Sequence, residues 1–165
     1  ARCVTPVLVV LRGNSGSGKT TVARELQARL EGSVAVLQQD HFRRIIYRER
    51  RREGTAHVEL LEAAATHCLC RGDHVILDGI FEAETYEPFL SRTAEQTDDA
   101  RFYAFDLPFE ETVSRHAMRP QSSDFSVEEM RDWYHGWQPL TFIKERRIGP
   151  ESSIEESVSR ILTNR

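Results

Sequence analysis

The chain has 165 residues, of which 39% are hydrophobic and 29% are charged, a size and composition that predict one globular domain over residues 1–165. Its 22 basic and 26 acidic residues give a formal net charge of −4 at pH 7, the wrong sign for a protein that is held to nucleic acid by charge alone. No apolar run is long enough to cross a bilayer, and three cysteines offer no disulfide framework. We therefore expect a cytoplasmic protein with no membrane partner.

Strands and helices are predicted to alternate in the first half of the chain. Residues 7–11 form a continuous apolar run, typical of a strand that is buried on both faces of a parallel sheet. A glycine-rich turn follows, and then a helix with apolar residues at helical spacing that Gly32 ends. The same order repeats with strands at 34–37 and 74–78 and with helices at 58–69 and around 86–97.

The second half continues this alternation. Residues 102–106 predict a fourth strand, Pro108 opens a helix, and further helices are expected at 126–137 and after a capping box at 152–156. A short last strand is predicted at 145–148. Strands that alternate with helices along the whole length indicate an α/β fold, a parallel sheet with helices on both faces. In such a sheet, ligands bind beyond the carboxyl ends of the strands.

A phosphate-binding loop follows the first strand. Residues 13–20 match G-x-x-x-x-G-K-[ST] in full and lie between a buried strand and an amphipathic helix. We expect ATP to bind there, with Lys19 at the β- and γ-phosphates and the Thr20 hydroxyl on Mg²⁺. The residues predicted to contact the nucleotide in this segment are Gly13, Asn14, Ser15, Gly16, Ser17, Gly18, Lys19, Thr20 and Thr21.

Arg115 and Arg119 lie at i and i+4 on the helix after the fourth strand, and therefore on one helix face. Paired arginines at this place can stabilise a phosphoryl group during transfer, because they neutralise its developing charge. The alternative is a surface pair that forms salt bridges with nearby glutamates. We expect the catalytic role, with Arg115 also contacting the nucleotide.

Three further sites have two interpretations each. Asp78 ends a buried strand, where it either helps to hold Mg²⁺ or supports the turn at Gly79. Arg43 and Arg44 either hold an anionic group of the substrate or begin a solvated helix, and we expect only one of them to point inward. Glu82 either accepts hydrogen bonds from substrate hydroxyls or lies on the surface.

The sequence has no Asn-Lys-x-Asp motif for reading guanine, which favours a kinase over a GTPase. Residues 12–20, 39–44, 75–80 and 105–112 together resemble the small bacterial P-loop kinases, a group that includes zeta-toxin-like kinases, chloramphenicol phosphotransferase and the kinase domain of polynucleotide kinase. The resemblance implies a P-loop NTPase three-layer sandwich with a five-stranded sheet in the order 2-3-1-4-5. It also implies a small lid at about 115–137 and adenine bound near Gly149.

The same resemblance assigns a role to Asp40. Alcohol-phosphorylating enzymes of this group have a carboxylate at the end of the second strand that takes the hydroxyl proton, and Asp40 occupies that position. The alternative is an N-cap for a helix over residues 41–48. We expect ATP-dependent transfer to a hydroxyl of a small molecule such as a nucleoside, a sugar derivative or an antibiotic. Nucleoside monophosphates, a polynucleotide 5′-hydroxyl and a nucleotide-dependent switch or toxin-like role are the alternatives.

Overall fold

The computed structural model of the protein describes residues 5–49, 55–118, 126–134, 136 and 138–165. The strands are β1 (Val7–Gly13), β2 (Val34–Gln38), β3 (His74–Gly79), β4 (Asp99–Phe105) and β5 (Arg146–Ile148). The helices are α1 (Lys19–Arg29), α2 (Ala56–Arg71), α3 (Ala83–Ala94), α4 (Phe109–Ala117), α5 (Val127–Trp133) and α6 (Ile154–Leu162), with a π-helix at His41–Ile46 between β2 and α2. Among these helices, none is long and apolar enough to span a membrane.

The five strands form one parallel sheet in the order β2-β3-β1-β4-β5. This confirms the predicted P-loop NTPase fold and its strand order. Arg12 near the end of β1 lies opposite Gly79 of β3 and Ala104 of β4, and Gln38 of β2 lies opposite Asp78 of β3. The carboxyl ends of these four strands therefore meet at one edge of the sheet.

Alternate residues of β1 face two separate cores. Leu8 and Val10 pack with residues of α2 and α3 on one face of the sheet, whereas Val9 and Leu11 pack with residues of α1 and α6 on the other. Successive side chains of a strand point to opposite faces, so an uninterrupted apolar run is what two covered faces require. The observed helix–sheet–helix arrangement is the predicted three-layer sandwich.

The structure corrects several predicted boundaries. β4 begins at Asp99 rather than at residue 102, and α5 ends at Trp133 rather than at residue 137. Pro108 is the extended residue before α4, where its missing N–H removes no helical hydrogen bond. The predicted capping box pairs Ser153 with Glu156, and each side chain receives a backbone N–H of the other residue.

Candidate functional site

The phosphate loop joins β1 to α1 and is packed against α4. Gly16 and Gly18 have φ values of +80° and +94°, in the left-handed region that favours glycine. A Cβ atom on Gly16 would lie 2.5 Å from the carbonyl oxygen of Thr112, so a side chain there would collide with α4. These two positions need glycine for backbone conformation, and Gly16 needs it for close packing as well.

Lys19 lies in the first turn of α1 with its ammonium group directed back into the loop. Its Nζ atom donates hydrogen bonds to the carbonyl oxygen of Asn14 at 2.8 Å and to Oγ of Ser17 at 3.2 Å. The residue is only 7% exposed. The side chain is therefore inside the loop whose backbone is expected to surround the phosphates.

Thr20 and Asp78 meet where α1 begins and β3 ends. Oγ1 of Thr20 donates a hydrogen bond of 2.9 Å to Oδ2 of Asp78, and Nε2 of Gln38 lies 3.4 Å from the same oxygen. Asp78 is 5% exposed, so its carboxylate is held in place by these neighbours. A hydroxyl and a carboxylate oxygen side by side suit Mg²⁺, which prefers oxygen ligands. The donor set fits the predicted metal, and the same contacts support the turn after β3.

Arg115 contacts the phosphate loop from α4. One Nη atom of Arg115 donates to the carbonyl oxygen of Ser17 at 3.0 Å, and Nε donates to Glu111 at 2.9 Å. Both predicted interpretations thus have a contact in the structure, because Arg115 forms a salt bridge on its own helix and also reaches the loop. Arg119 and residues 120–125, 135 and 137 of the predicted lid lie outside the described residues.

Asp40 follows β2 and begins the π-helix. Its carboxylate is 63% exposed and lies 3.0 Å from Nη2 of Arg43 and 3.8 Å from Nη1 of Arg44. Asp40 makes no side-chain capping hydrogen bond, so the structure provides no support for the N-cap alternative. The Arg43 side chain is 12% exposed and that of Arg44 is 44% exposed. Arg43 is therefore the more buried side chain of the two.

A cleft opens at the same edge of the sheet, between the phosphate loop and the segment that precedes β5. It is lined by Arg12, Gly13, Asn14, Ile80, Glu82, Ala104, Phe105, Asp106, Gly136 and Gln138. Glu82, predicted either to contact substrate hydroxyls or to lie on the surface, is one of these lining residues. Gly149 directly follows β5 and is not part of this lining. Gly13 and Asn14 place this cleft beside the phosphate loop, and Asp40 is not among its lining residues.

Several residues of this region were not predicted. Oε1 of Gln39 accepts the backbone N–H groups of Ile80 at 2.9 Å and Phe81 at 3.4 Å, which fixes the turn after β3. Arg12 and Glu145 form a buried ion pair beside the cleft. The position of Arg12 directly before the loop motif was the one available signal. Glu145 lies in the charged run of residues 144–147, and nothing in the sequence indicates which residue of this run is buried.

Together, the sheet order, the glycine-rich loop and the Thr20–Asp78 pair define a P-loop protein with a kinase-like fold. Residues 8–136 match a protein-family model described as an AAA domain, and the chain belongs to that family. A comparison with curated proteins gave no match.

Solved structures with this fold include several kinases. The chain is 21% identical to the APS kinase CysC of Mycobacterium tuberculosis in complex with AMPPNP and APS, with a TM-score of 0.72 and 96% of each chain covered. It is 15% identical to a gluconokinase from Sinorhizobium meliloti 1021, with a TM-score of 0.63 and 96% of this chain and 91% of that chain covered. These likenesses agree with the predicted resemblance to small bacterial P-loop kinases.

The chain is also similar to a chain of the Pnkp1/Rnl/Hen1 complex. Another structure of that complex is described as an RNA repair complex. The identity is 26% and the TM-score 0.57. The match covers 90% of this chain but only 48% of that chain, which is therefore about twice as long as the part that aligns.

Proposed function

We propose that this protein is an ATP- and Mg²⁺-dependent phosphotransferase that moves the γ-phosphoryl group of ATP to a hydroxyl group of a small acceptor molecule. The observation on which the choice of a hydroxyl depends is Asp40, an exposed carboxylate just beyond β2, the strand that pairs with β3 and its Asp78. An acceptor that is already a phosphate anion needs no base, whereas a hydroxyl must lose its proton during transfer.

In the proposed reaction, the acceptor oxygen forms a bond to the γ-phosphorus while the bond from that phosphorus to the β,γ-bridging oxygen breaks. The acceptor proton passes to the carboxylate of Asp40, and ADP leaves with the bridging oxygen. Lys19 stabilises the negative charge on the β- and γ-phosphates, and Arg115 does so from α4. Arg119 is proposed to act with Arg115.

The remaining residues bind and orient the reactants. The backbone N–H groups of residues 13–20, followed by Thr21, would hold the phosphates, and Gly149 would lie beside the adenine. Thr20 and Asp78 would hold Mg²⁺, which when bound neutralises phosphate charge. Glu82, on the wall of the cleft, would accept hydrogen bonds from the acceptor.

The test is to incubate the protein with Mg·ATP and a panel of acceptors, and to detect the gain of one phosphoryl group by mass spectrometry. The panel contains nucleosides, sugars, hydroxylated antibiotics, nucleoside monophosphates and 5′-hydroxyl oligonucleotides. Asp40→Asn should lower transfer about 10²- to 10⁴-fold, because the amide keeps the shape of the side chain but accepts no proton. Binding of Mg·ATP should be unchanged.

Asp98→Asn is the matched control, since Asp98 is an exposed aspartate just before β4, at the opposite end of the sheet. It should transfer phosphoryl groups at the wild-type rate. Full activity of Asp40→Asn, together with transfer to nucleoside monophosphates alone, would contradict the proposal and leave a nucleotide kinase.

A polynucleotide 5′-hydroxyl is the second candidate acceptor. Two observations favour it: the arginine pair Arg43 and Arg44 beside Asp40, and the 26% identity to a chain of an RNA repair complex. A nucleic acid would place backbone phosphates near such arginines. Transfer to oligonucleotides in strong preference to small molecules would select this candidate, and the rate should then fall steeply as salt is raised.

A further inference from the structure

Arg12 is a buried arginine at the end of β1, directly before the first glycine of the phosphate loop. It is 5% exposed and lies in the middle of the sheet, opposite Gly79 of β3 and Ala104 of β4. The reaction proposed above assigns it no step. A buried guanidinium is costly unless it is paired and its N–H groups are satisfied, so its partners need an explanation.

Those partners come from two parts of the chain, the turn after β3 and the segment that precedes β5. Nε and Nη2 of Arg12 donate to the carbonyl oxygen of Phe81 at 3.1 and 3.0 Å. Nη2 also donates to the carbonyl oxygen of Gln138 at 3.0 Å, and Nη1 pairs with the carboxylate of Glu145. The planar fork of arginine allows several directed hydrogen bonds at once, which the single ammonium of lysine does not reproduce.

Glu145 extends this connection. Its side chain is 1% exposed, and its Oε1 atom accepts both from Arg12 and from the backbone N–H of Leu140 at 3.2 Å. The carboxylate therefore fixes the segment that runs from Gln138 toward β5. A buried ion pair of this kind contributes little to stability compared with two apolar side chains of similar size.

The fixed positions are the two walls of the cleft. Ile80 and Glu82 flank Phe81 on one wall, and Gly136 and Gln138 lie on the other. Arg12 itself lines the cleft together with Gly13 and Asn14 of the phosphate loop. One guanidinium thus connects both walls to the strand that ends in the loop.

We propose that Arg12, paired with Glu145, is a positioning residue that sets the distance between the acceptor-binding walls of the cleft and the phosphate loop. This inference rests on the proposed function, since it takes the cleft as the place where the acceptor binds. Misplacement of an acceptor by about 1 Å can cost roughly 100-fold in rate, so a device that fixes this distance has a direct effect on transfer.

The test replaces both partners at once, as Arg12→Met with Glu145→Leu, because removing only one would leave a buried charge and risk misfolding. The matched control is Arg101→Met with Asp99→Leu. Arg101 pairs with Asp99 and donates to the carbonyl oxygens of Ile161 and Leu162, away from the cleft. Like Arg12, Arg101 pairs with a carboxylate and donates to backbone carbonyl oxygens, but none of its partners lines the cleft.

With the acceptor that the wild-type protein uses, we expect kcat/KM for that acceptor to fall roughly 10- to 100-fold in the Arg12/Glu145 double variant. KM for ATP should be unchanged, and the control double variant should match the wild type in both constants. Arg12→Lys should not restore transfer. A double variant with wild-type constants would overturn the proposal. So would a variant whose lower kcat is accounted for in full by a smaller fraction of molecules that bind ATP, measured by calorimetric titration, because that pattern reports only fewer active molecules.

Hydrogen exchange provides a readout that does not depend on catalysis. The amides of Ile80 and Phe81 are bonded to Gln39 and not to either substituted residue, so their exchange reports the position of the turn. They should exchange faster in the Arg12/Glu145 variant and not in the control. Unchanged exchange would overturn the positioning role, whether or not a hydroxyl acceptor is found. Failure of the proposed function is a separate result, a wild-type protein that phosphorylates no hydroxyl.

Discussion

Lys19 is the cation that we propose to lie beside the β- and γ-phosphates, and its ammonium group donates hydrogen bonds to two oxygens of the loop itself. Lys19→Ala should abolish phosphoryl transfer and weaken ATP binding, because the positive charge at the β- and γ-phosphates is lost. ATP affinity would be measured by calorimetric titration and transfer by initial rates. Lys144→Ala removes an exposed lysine and serves as the control. Normal turnover in Lys19→Ala would refute the assignment of this loop.

Single residues differ in how well the sequence predicts them. The positions of Lys19 and Thr20 at the phosphate loop were predictable because the spacing of the loop motif is complete in eight residues. The Arg12–Glu145 pair joins residues that are 133 positions apart in the chain. The burial of Glu145 depends on how the segment before β5 packs against the sheet, and a local sequence pattern does not indicate such tertiary packing.

At the level of secondary structure, the contact between the phosphate loop and α4 depends on Gly16. Gly16→Ala should prevent nucleotide binding, because its Cβ would meet Thr112 at 2.5 Å and the loop would have to move. Gly72→Ala is a matched control: Gly72 has a φ of +85°, but a Cβ there meets no atom within 4 Å. The control should lose about 1–2 kcal/mol of stability from the backbone conformation alone and still bind ATP.

Thermal unfolding and ATP titration of the two glycine variants separate strain from collision. If Gly72→Ala and Gly16→Ala lost ATP affinity equally, the contact with α4 would have no special role. If both variants retained ATP affinity, the predicted collision between the loop and α4 would be wrong.

Strands were easier to predict than the segment after β2. Buried runs in β1 and β3 are apolar whatever surrounds them, so the sequence indicates them directly. A helix over residues 41–48 was predicted only in the alternative interpretation of Asp40, as the helix that Asp40 would cap. The segment is a π-helix over His41–Ile46 without a side-chain cap. Such helices depend on tertiary contacts and occur often at functional sites, and no periodic pattern announces them.

At the scale of the whole molecule, paired carboxylates make folding stability depend on pH. Hydrogen bonds from Arg101 lower the pKa of Asp99, and those from Arg92 lower the pKa of Glu62. A carboxyl group with a lowered folded pKa contributes its full stabilisation above its unfolded pKa, about 3.9 for Asp and 4.3 for Glu, and loses it as pH falls. We expect the melting temperature to drop below about pH 4.

The variant Asp99→Asn with Glu62→Gln should show a smaller difference in melting temperature between neutral and acidic buffer than the wild type. Thermal unfolding followed by circular dichroism at a series of pH values measures this difference. An equal acid-induced drop in both proteins would show that other carboxyl groups determine the effect.

The outer strand β5 has a consequence for self-association. β5 is only three residues long, and its first two, Arg146 and Arg147, are exposed. An open strand edge presents unpaired backbone groups that can recruit the edge of another chain, and short strands with charged side chains discourage such pairing. The last strand is thus poorly suited to act as a template for aggregation, although it borders a strand with a strongly apolar carboxyl end. The fold limits sheet growth on this side with the arginines that begin β5.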